Sequence, residues 1–591
     1  MRHSNRLSAM AAVAIAVFAA CSSTQPPRAE EKQDASAPPP ASADTAEIVV
    51  TAQSQPATSA QQGRFDEIVV TGGRRGEMEA ATPAARIASA KVAEAYIGGL
   101  YRLTPEEREN YAKLEANPVH LAAEDPVSTF SIDVDTGSYS NVRRLLNGGR
   151  LPPQDAVRVE ELVNYFSYDY AAPRDPATPF GVVTEIATTP WNPKTRLLHI
   201  GIQGWKPRGE RRPSNLVFLV DVSGSMQSED KLPLVRSSLK LLAGELTADD
   251  RISLVVYAGT TGVVLEPTPG SERATIIAAL DRLEAGGSTN GGAGISLAYA
   301  MAEQAFIKEG NNRVLLATDG DFNVGTTSFE ALVDLVEEMR KGGVALTTLG
   351  FGTGNYNDHL MEQLADAGNG SHAYIDTLSE ARRVLVSQRD ATLGTIARDV
   401  KIQVEFNPRT VAEYRLIGYE NRLLNREDFN NDSIDAGDIG AGHSVTALYE
   451  IALVGEGGER IDRLRYGADA PAAMGSGEIA YLRLRYKRPD DGMDAASRLI
   501  EQPISAMAMR QNMSEARPAF RLAAAVAAYG QLLRGGDYTG GFTYLDVVAL
   551  AESASGVDAA SAGFVELVQL ADGLSVQSPD NSPQPVARAP R

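Results

Sequence analysis

A doubly wound α/β domain with a parallel central sheet is the fold predicted for residues 214–392, inserted in or flanked by a β-rich domain and followed by a helical carboxy-terminal segment. Three observations predict it. The run Leu216–Val220 is apolar without alternation, which suits a strand covered on both faces. Further apolar runs at Ile252–Tyr257, Val314–Ala317, Val344–Phe351 and, shorter, Ala373–Ile375 are separated by amphipathic stretches, the alternation that builds parallel sheets. Outside this region the segments VKIQVEF, SVTALYEIAL and IAYLRLRYK alternate apolar and polar residues, as half-exposed antiparallel strands do.

The elements follow in order. Ala84 to about Asn117 is Ala-rich and reads as mostly helical. Residues Phe180–Gly204 read as two strands, GVVTEIATT and TRLLHIGIQG, with Trp191 and Trp205 as packing residues. These strands are expected to pair with the three later ones, which would make the α/β domain an insertion in a β-sandwich with its ends close together. Inside the insertion, Val235, Leu239, Leu242 and Leu246 fall on one helix face, and Phe329, Leu332, Val333 and Val336 on another; both stripes are expected to be core. Pro518–Leu533 reads as a helix with Pro near its start and Gly535-Gly536 beyond its end, and further helices are expected from about Val547 to Leu570. The chain thus divides at 1–20, 21–83, 84–178, 179–213, 214–392, 393–575 and 576–591.

At 591 residues and 43% apolar composition the chain is long enough for several cores. Its 56 Lys and Arg stand against 76 Asp and Glu, a formal charge of −20, which argues against a nucleic-acid partner, since binding a phosphate backbone needs clustered cations. Arg2 and Arg6 precede the apolar stretch Ala9–Ala20, too short to span a bilayer and read as a signal peptide over 1–20. It ends in Phe18-Ala19-Ala20-Cys21, and Cys21 is the only cysteine, so no intrachain disulfide can form. The pattern resembles a bacterial lipobox, which implies lipidation at Cys21 and, with Ser22 following, sorting to the outer membrane, facing the periplasm. Residues 21–83 are too poor in apolar residues to build a core and read as a disordered tether. Within it Glu47–Thr51 and Glu67–Thr71 repeat the pentapeptide EIVVT, which looks like a TonB box; short β-prone segments of this kind can add to a partner's sheet edge. The tail 576–591 is polar, contains Pro and reads as disordered.

The chemistry is concentrated where the first strand ends. Leu216–Val220 runs into Asp221, Ser223 and Ser225, with Gly224 between the hydroxyls. That places three oxygen donors at a strand's carboxyl end, where open α/β sheets bind ligands, and oxygen donors suit a hard cation such as Mg²⁺. Asp221-Val222-Ser223-Gly224-Ser225 resembles the DxSxS signature of the von Willebrand factor type A (vWA) family, the first part of its metal-ion-dependent adhesion site. The other two parts are found as Thr289 in GGSTNGG and Asp319 in VLLATDGD. The resemblance implies that Ser223, Ser225 and Thr289 ligate Mg²⁺ (or Mn²⁺ or Ca²⁺) through their hydroxyls, that Asp221 and Asp319 hold it directly or through water, and that a partner protein's Asp or Glu completes the shell. Ser128–Tyr170 and the stretch from about Leu393 to Gly573 resemble the flanking regions of the bacterial YfbK-like vWA subfamily, which places no chemistry there.

Other motifs are weaker. Asp135-Thr136-Gly137-Ser138 mimics the catalytic loop of aspartic proteases, but those enzymes share a proton between two carboxylates and no second such loop occurs. GFGTG at 350–354 imitates a dinucleotide loop without its spacing or its acidic residue, and reads as a tight turn. His359 and His372 lack a partner histidine at ligand spacing. The acidic run Asp428, Asn430, Asp432, Asp435 and Asp438 lacks the Gly and the bidentate Glu of a calcium loop and reads as a solvated turn. No GxSxG, HExxH or motif-loop histidine accompanies the metal donors, so the sequence reads as a binding module and not an enzyme.

Overall fold

The computed structural model describes residues 108–577 except 176, 207–210, 289–290, 322–327, 463–476 and 493–494. The segment read as a signal peptide, Cys21, the segment read as a tether with its two EIVVT repeats, Thr289 and the tail from 578 lie outside the described residues. The described strands are β1 (His120–Leu121), β2 (Val127–Ser131), β3 (Phe180–Thr189), β4 (Asn192–Gly204), β5 (Ser214–Asp221), β6 (Arg251–Tyr257), β7 (Thr261–Pro269), β8 (Asn311–Thr318), β9 (Ala345–Phe351), β10 (His372–Ile375), β11 (Thr395–Phe406), β12 (Val411–Ile417), β13 (Ile439–Gly440), β14 (Ser444–Leu453), β15 (Glu478–Lys487) and β16 (Arg498–Ser505). The helices used below are α1 (Gly137–Asn147), α2 (Val159–Asn164), α3 (Leu232–Gly244), α4 (Arg273–Asp281), α5 (Gly291–Gln304), α6 (Phe329–Met339), α7 (Asp358–Ala367), α8 (Leu378–Arg382), α9 (Arg389–Leu393), α10 (Pro518–Leu533), α11 (Tyr544–Glu552) and α12 (Ser561–Gln577).

The α/β domain is a six-stranded sheet in the order β10-β9-β8-β5-β6-β7. Every residue of β5 is buried. Leu216, Phe218 and Val220 join the core formed with Val235, Leu239 and Leu242 of α3, while Val217 and Leu219 join that of α5, α6 and α7. That two-sided cover is why the strand shows no polar alternation, and each buried Leu, Val or Phe contributes roughly 1.5–3 kcal/mol. Five of the strands are parallel; β7 runs antiparallel to β6. The sequence pattern does not reveal β7, because TGVVLEPTP is a half-exposed edge strand containing two prolines. Phe329 corrects the second helical stripe: Leu332 and Val336 are buried, but Phe329 is 44% exposed in the first turn, just after the Ser328 cap.

The β-rich part is a sandwich of two sheets. One runs β1-β12-β14-β4-β3, and in the other β11 is flanked by β2, β13 and β15, with β16 beyond β15. Of the three strands expected to pair with 180–204, only SVTALYEIAL does: Ser444 of β14 lies opposite Gln203 of β4, through to Ile451 opposite Arg196. VKIQVEF and IAYLRLRYK instead pair with each other as β11 and β15. A sandwich needs two inner faces, and these two strands supply the second, setting Ile402, Val404, Leu482 and Leu484 against Ile200, Ile202, Val445 and Tyr449. The α/β domain leaves the sandwich after β4 and returns to it at β11, and its two ends meet the same loop after β13: the Trp205 carbonyl accepts from Gly442 at 3.1 Å, and the Gly394 carbonyl from Ala441 at 2.8 Å.

A third core joins the two flanks of the sequence. Helix α10, with the bounds the sequence indicated, is buried around nearly its whole circumference, and with α11 and α12 it packs on Tyr139, Val142, Leu162 and Phe166 of the amino-terminal region. A helix apolar all round is a helix enclosed. The expected helix to Asn117 fails over 109–117, where Asn110 pairs with the backbone beside α7, donating to the Tyr356 carbonyl at 2.9 Å and accepting from His359 at 3.4 Å.

One glycine gives a direct test of this packing. A Cβ on Gly370 would lie 1.7 Å from the Leu346 carbonyl oxygen, and backbone cannot yield as a side chain can. Gly370→Ala is expected to lower stability by roughly 3 kcal/mol, read as a shift in the urea midpoint.

Candidate metal centre at the carboxyl edge of the sheet

Asp221 is the last residue of β5 and is fully buried. One carboxylate oxygen accepts the Ser223 amide at 2.8 Å and the other the Thr318 hydroxyl at 2.8 Å, so the group is fixed from two strands. Burial pushes its carboxyl up to about 6; the hydrogen bonds from Ser223 oppose the rise and the charge of Asp319 adds to it. A desolvated carboxylate in that position has most to gain from a cation. Beyond it Ser223 Oγ and Ser225 Oγ lie 3.0 Å apart. The next motif loop is stitched to the first: Gly224 donates to the Gly287 carbonyl at 3.0 Å and Gly286 to the Val222 carbonyl at 2.8 Å. Thr289 lies two residues past Gly287, outside the described residues.

Asp319, one residue past β8, is also fully buried. Its Oδ1 accepts the Asp321 amide at 3.0 Å. Its Oδ2 accepts the Lys231 ammonium at 2.9 Å and the Asn355 amide side chain at 3.1 Å. The structure therefore gathers Asp221, Ser223, Ser225 and Asp319 at one edge, and adds three residues that sequence reasoning missed: Thr318, Lys231 and Asn355. The signal for Asn355 was present but misplaced. GFGTG is indeed a tight turn, with Gly352 at φ +79° and Gly354 at φ +92°, and what it does is carry Asn355 to the site. The turn is held from outside by Glu109, which accepts the Gly354 amide at 3.0 Å.

The donor set fits a small hard cation: two desolvated carboxylates and adjacent hydroxyls, all oxygen. Among the described residues no three His, Cys, Asp or Glu side chains gather to hold a metal.

The weaker motifs resolve into structure. Asp135 accepts the His372 amide at 2.7 Å and pairs with Arg422 at 3.2 Å; it belongs to a buried ion network and not to a protease dyad. His372 is buried and satisfied, with Nδ1 2.9 Å from Thr348 Oγ1 and Nε2 2.7 Å from the Tyr356 hydroxyl. His359 is half-buried. Trp191 is packed, donating to Glu450 at 3.3 Å. In the acidic run, Lys401 donates to the Asp428 carbonyl at 3.2 Å and Lys487 to the Asp432 carbonyl at 2.9 Å. Protein ammonium groups thus fill the loop, which is more ordered than a solvated turn.

The network around Asp135 fixes how the metal edge is carried. Helix α7 bears Asp358, Glu362 and Asp366 at four-residue intervals, which puts them on one face. Arg158, fully buried, pairs with Asp358, with Glu362 at 2.7 Å and with Glu161 at 3.3 Å. Arg422 pairs with Asp366, with Asp133 and Glu362 at 3.5 Å and with Asp135 at 3.2 Å. Two arginines from outside the α/β domain therefore clamp its acidic helix.

A doubly wound sheet with DxSxS at the end of its central strand defines a vWA domain, and the family model "von Willebrand factor type A domain" matches residues 215–388. Models described as "von Willebrand factor" and as "Uncharacterized protein YfbK, C-terminal" match 105–199 and 391–574. The chain belongs to the YfbK family of vWA proteins: it is 46% identical over 512 residues to "Uncharacterized protein YfbK" of Escherichia coli (strain K12), covering 85% of this chain and 86% of that one. It is also 32% identical over 188 residues to "Uncharacterized protein sll0103" of Synechocystis, covering 32% of this chain and 43% of that one. Among solved structures, a von Willebrand factor type A protein from Catenulispora acidiphila aligns over 68% of this chain and 91% of its own, at 16% identity and a TM-score of 0.39.

Proposed function

We propose that the chain is a cell-envelope lipoprotein, anchored at Cys21 and facing the periplasm, whose vWA domain binds a protein partner through a divalent cation. Asp221, Ser223, Ser225, Thr289 and Asp319 would hold the ion. When bound, it would supply an open coordination position and a residual positive charge for an Asp or Glu of the partner. The observation that carries this reading is the pair of hydroxyls 3.0 Å apart beside two fully buried carboxylates. Hydroxyl donors are neutral, so a dication held largely by them keeps charge to offer. We read the site as one for binding and not for turnover, because no histidine stands among its donors to serve as a base. The EIVVT segments, Glu47–Thr51 and Glu67–Thr71, are candidates for a TonB-like partner.

Isothermal titration of magnesium into the folded chain tests the site. Asp221→Ala is expected to weaken binding by about 100-fold or more and to abolish chelator-sensitive capture of a partner from envelope extract, with an unchanged circular-dichroism spectrum. Magnesium that raises the melting temperature without altering any association would instead make the ion a purely structural one. Cys21→Ser is expected to move the protein from the membrane to the soluble fraction.

A further inference from the structure

Lys231 occupies a place that a surface lysine would not. It is 5% exposed, and its ammonium lies 2.9 Å from Asp319 Oδ2 and 2.7 Å from Asn355 Oδ1. The chain makes room for it. A Cβ on Gly352 would come within 2.3 Å of the Lys231 stem, and that glycine sits at φ +79°, so the turn is shaped around the lysine. Asn355 in turn donates to Asp319 Oδ2 at 3.1 Å and to Asp321 at 3.1 Å. With the Asp321 amide on Oδ1, both oxygens of Asp319 are already engaged by protein donors, one of them a full positive charge.

From this arrangement, and resting on the metal reading above, we infer that Lys231 is a positioning residue that withholds Asp319 from direct ligation and keeps the metal edge short of negative charge. The consequences have opposite signs. A cation fixed beside the site repels Mg²⁺, so the protein gives up metal affinity. An ion bound beside it would be less neutralised, with Asp319 kept from ligating it directly, and would attract an incoming carboxylate more strongly. The lysine thus tunes the site for capturing an acidic partner at the expense of holding its ion.

The test uses the full chain with magnesium or manganese alone. Lys231→Met is expected to bind Mg²⁺ about tenfold more tightly by calorimetry. With Mn²⁺ it is expected to show one fewer bound water by proton relaxation, as Asp319 enters the shell. Lys231→Arg, which keeps the charge, is expected to resemble the wild type in affinity. Lys231→Gln, which keeps a donor for Asn355 but drops the charge, carries the same expectation as methionine and serves if that variant fails to fold. A lysine that merely braces the loop predicts the reverse, with weaker Mg²⁺ binding on removal. Wild-type binding that the methionine and glutamine variants loosen or leave unchanged overturns this inference alone. A wild type that takes up no Mg²⁺ overturns the metal reading and this inference with it.

Discussion

Arg158→Met is expected to cost roughly 3–5 kcal/mol of unfolding free energy, the largest single effect foreseen for this chain. The guanidinium is fully buried and faces Asp358, Glu362 and Glu161. Methionine fills much of the space but leaves the desolvated carboxyls of Asp358 and Glu161 with no guanidinium in contact, and the loss is dominated by what is stranded and not by what is removed. Arg422 still reaches Glu362, so the effect falls mainly on the Asp358 end of α7. Urea denaturation followed by fluorescence and by circular dichroism should show a lowered midpoint. Because Arg158 also joins the vWA domain to α2, limited proteolysis should release the domain at denaturant concentrations where the wild type stays intact.

The second large effect is with pH. In the same network carboxyls outnumber guanidinium groups, and burial is the leading cause of the upward shifts. Asp135, Glu161 and Glu362 are all raised, and Glu160 is pushed up to about 8 by burial and by the nearby charges of Glu420 and Asp133. A carboxyl whose folded value is raised contributes stability that is complete below its unfolded value near 4.5 and is lost as pH climbs to the folded value. Stability is therefore expected to decline between about pH 5 and 8, by about 1.4 kcal/mol per pH unit for each proton the folded state alone retains. Two histidines set the opposite limb. His199 is lowered by burial to about 3 and His443 to about 4; their contribution is present above pH 6.5 and lost as pH falls below it. Glu160→Gln separates the two. It should be near neutral at pH 5 and stabilising at pH 9, and a variant equally stable relative to wild type at both values would show that Glu160 does not hold its proton.

Much of the vWA domain was legible because its physics is local. An eight-residue strand buried on both faces advertises itself as an apolar run, and its end is marked by the change to Asp221, Ser223 and Ser225. Pro518 and the Gly535-Gly536 pair bracket α10 because helix ends have their own residue preferences. What stayed hidden depends on distant partners. The alternation in VKIQVEF says that it is a strand but not which sheet it joins, and that choice is made by the inner faces it must complete. Lys231 and Asn355 lie 88 and 36 residues from Asp319, and nothing in their own neighbourhoods names that aspartate. The four-residue spacing of Asp358, Glu362 and Asp366 puts them on one face of α7. Read alone, such a face belongs in water; Arg158 and Arg422 turn Asp358 and Glu362 inward, while Asp366 stays exposed.

The two covalent attachments of the vWA domain lie at the amino ends of its strands, whereas Asp221 and Asp319 lie at the carboxyl ends. A tug from a ligand on those aspartates would accordingly travel lengthwise down β5 to the sandwich. The ladders joining β5 to β6 and β8 would then be strained in shear, many bonds resisting together, and not peeled apart one at a time. A pull along β5 would thus be resisted better than one across it.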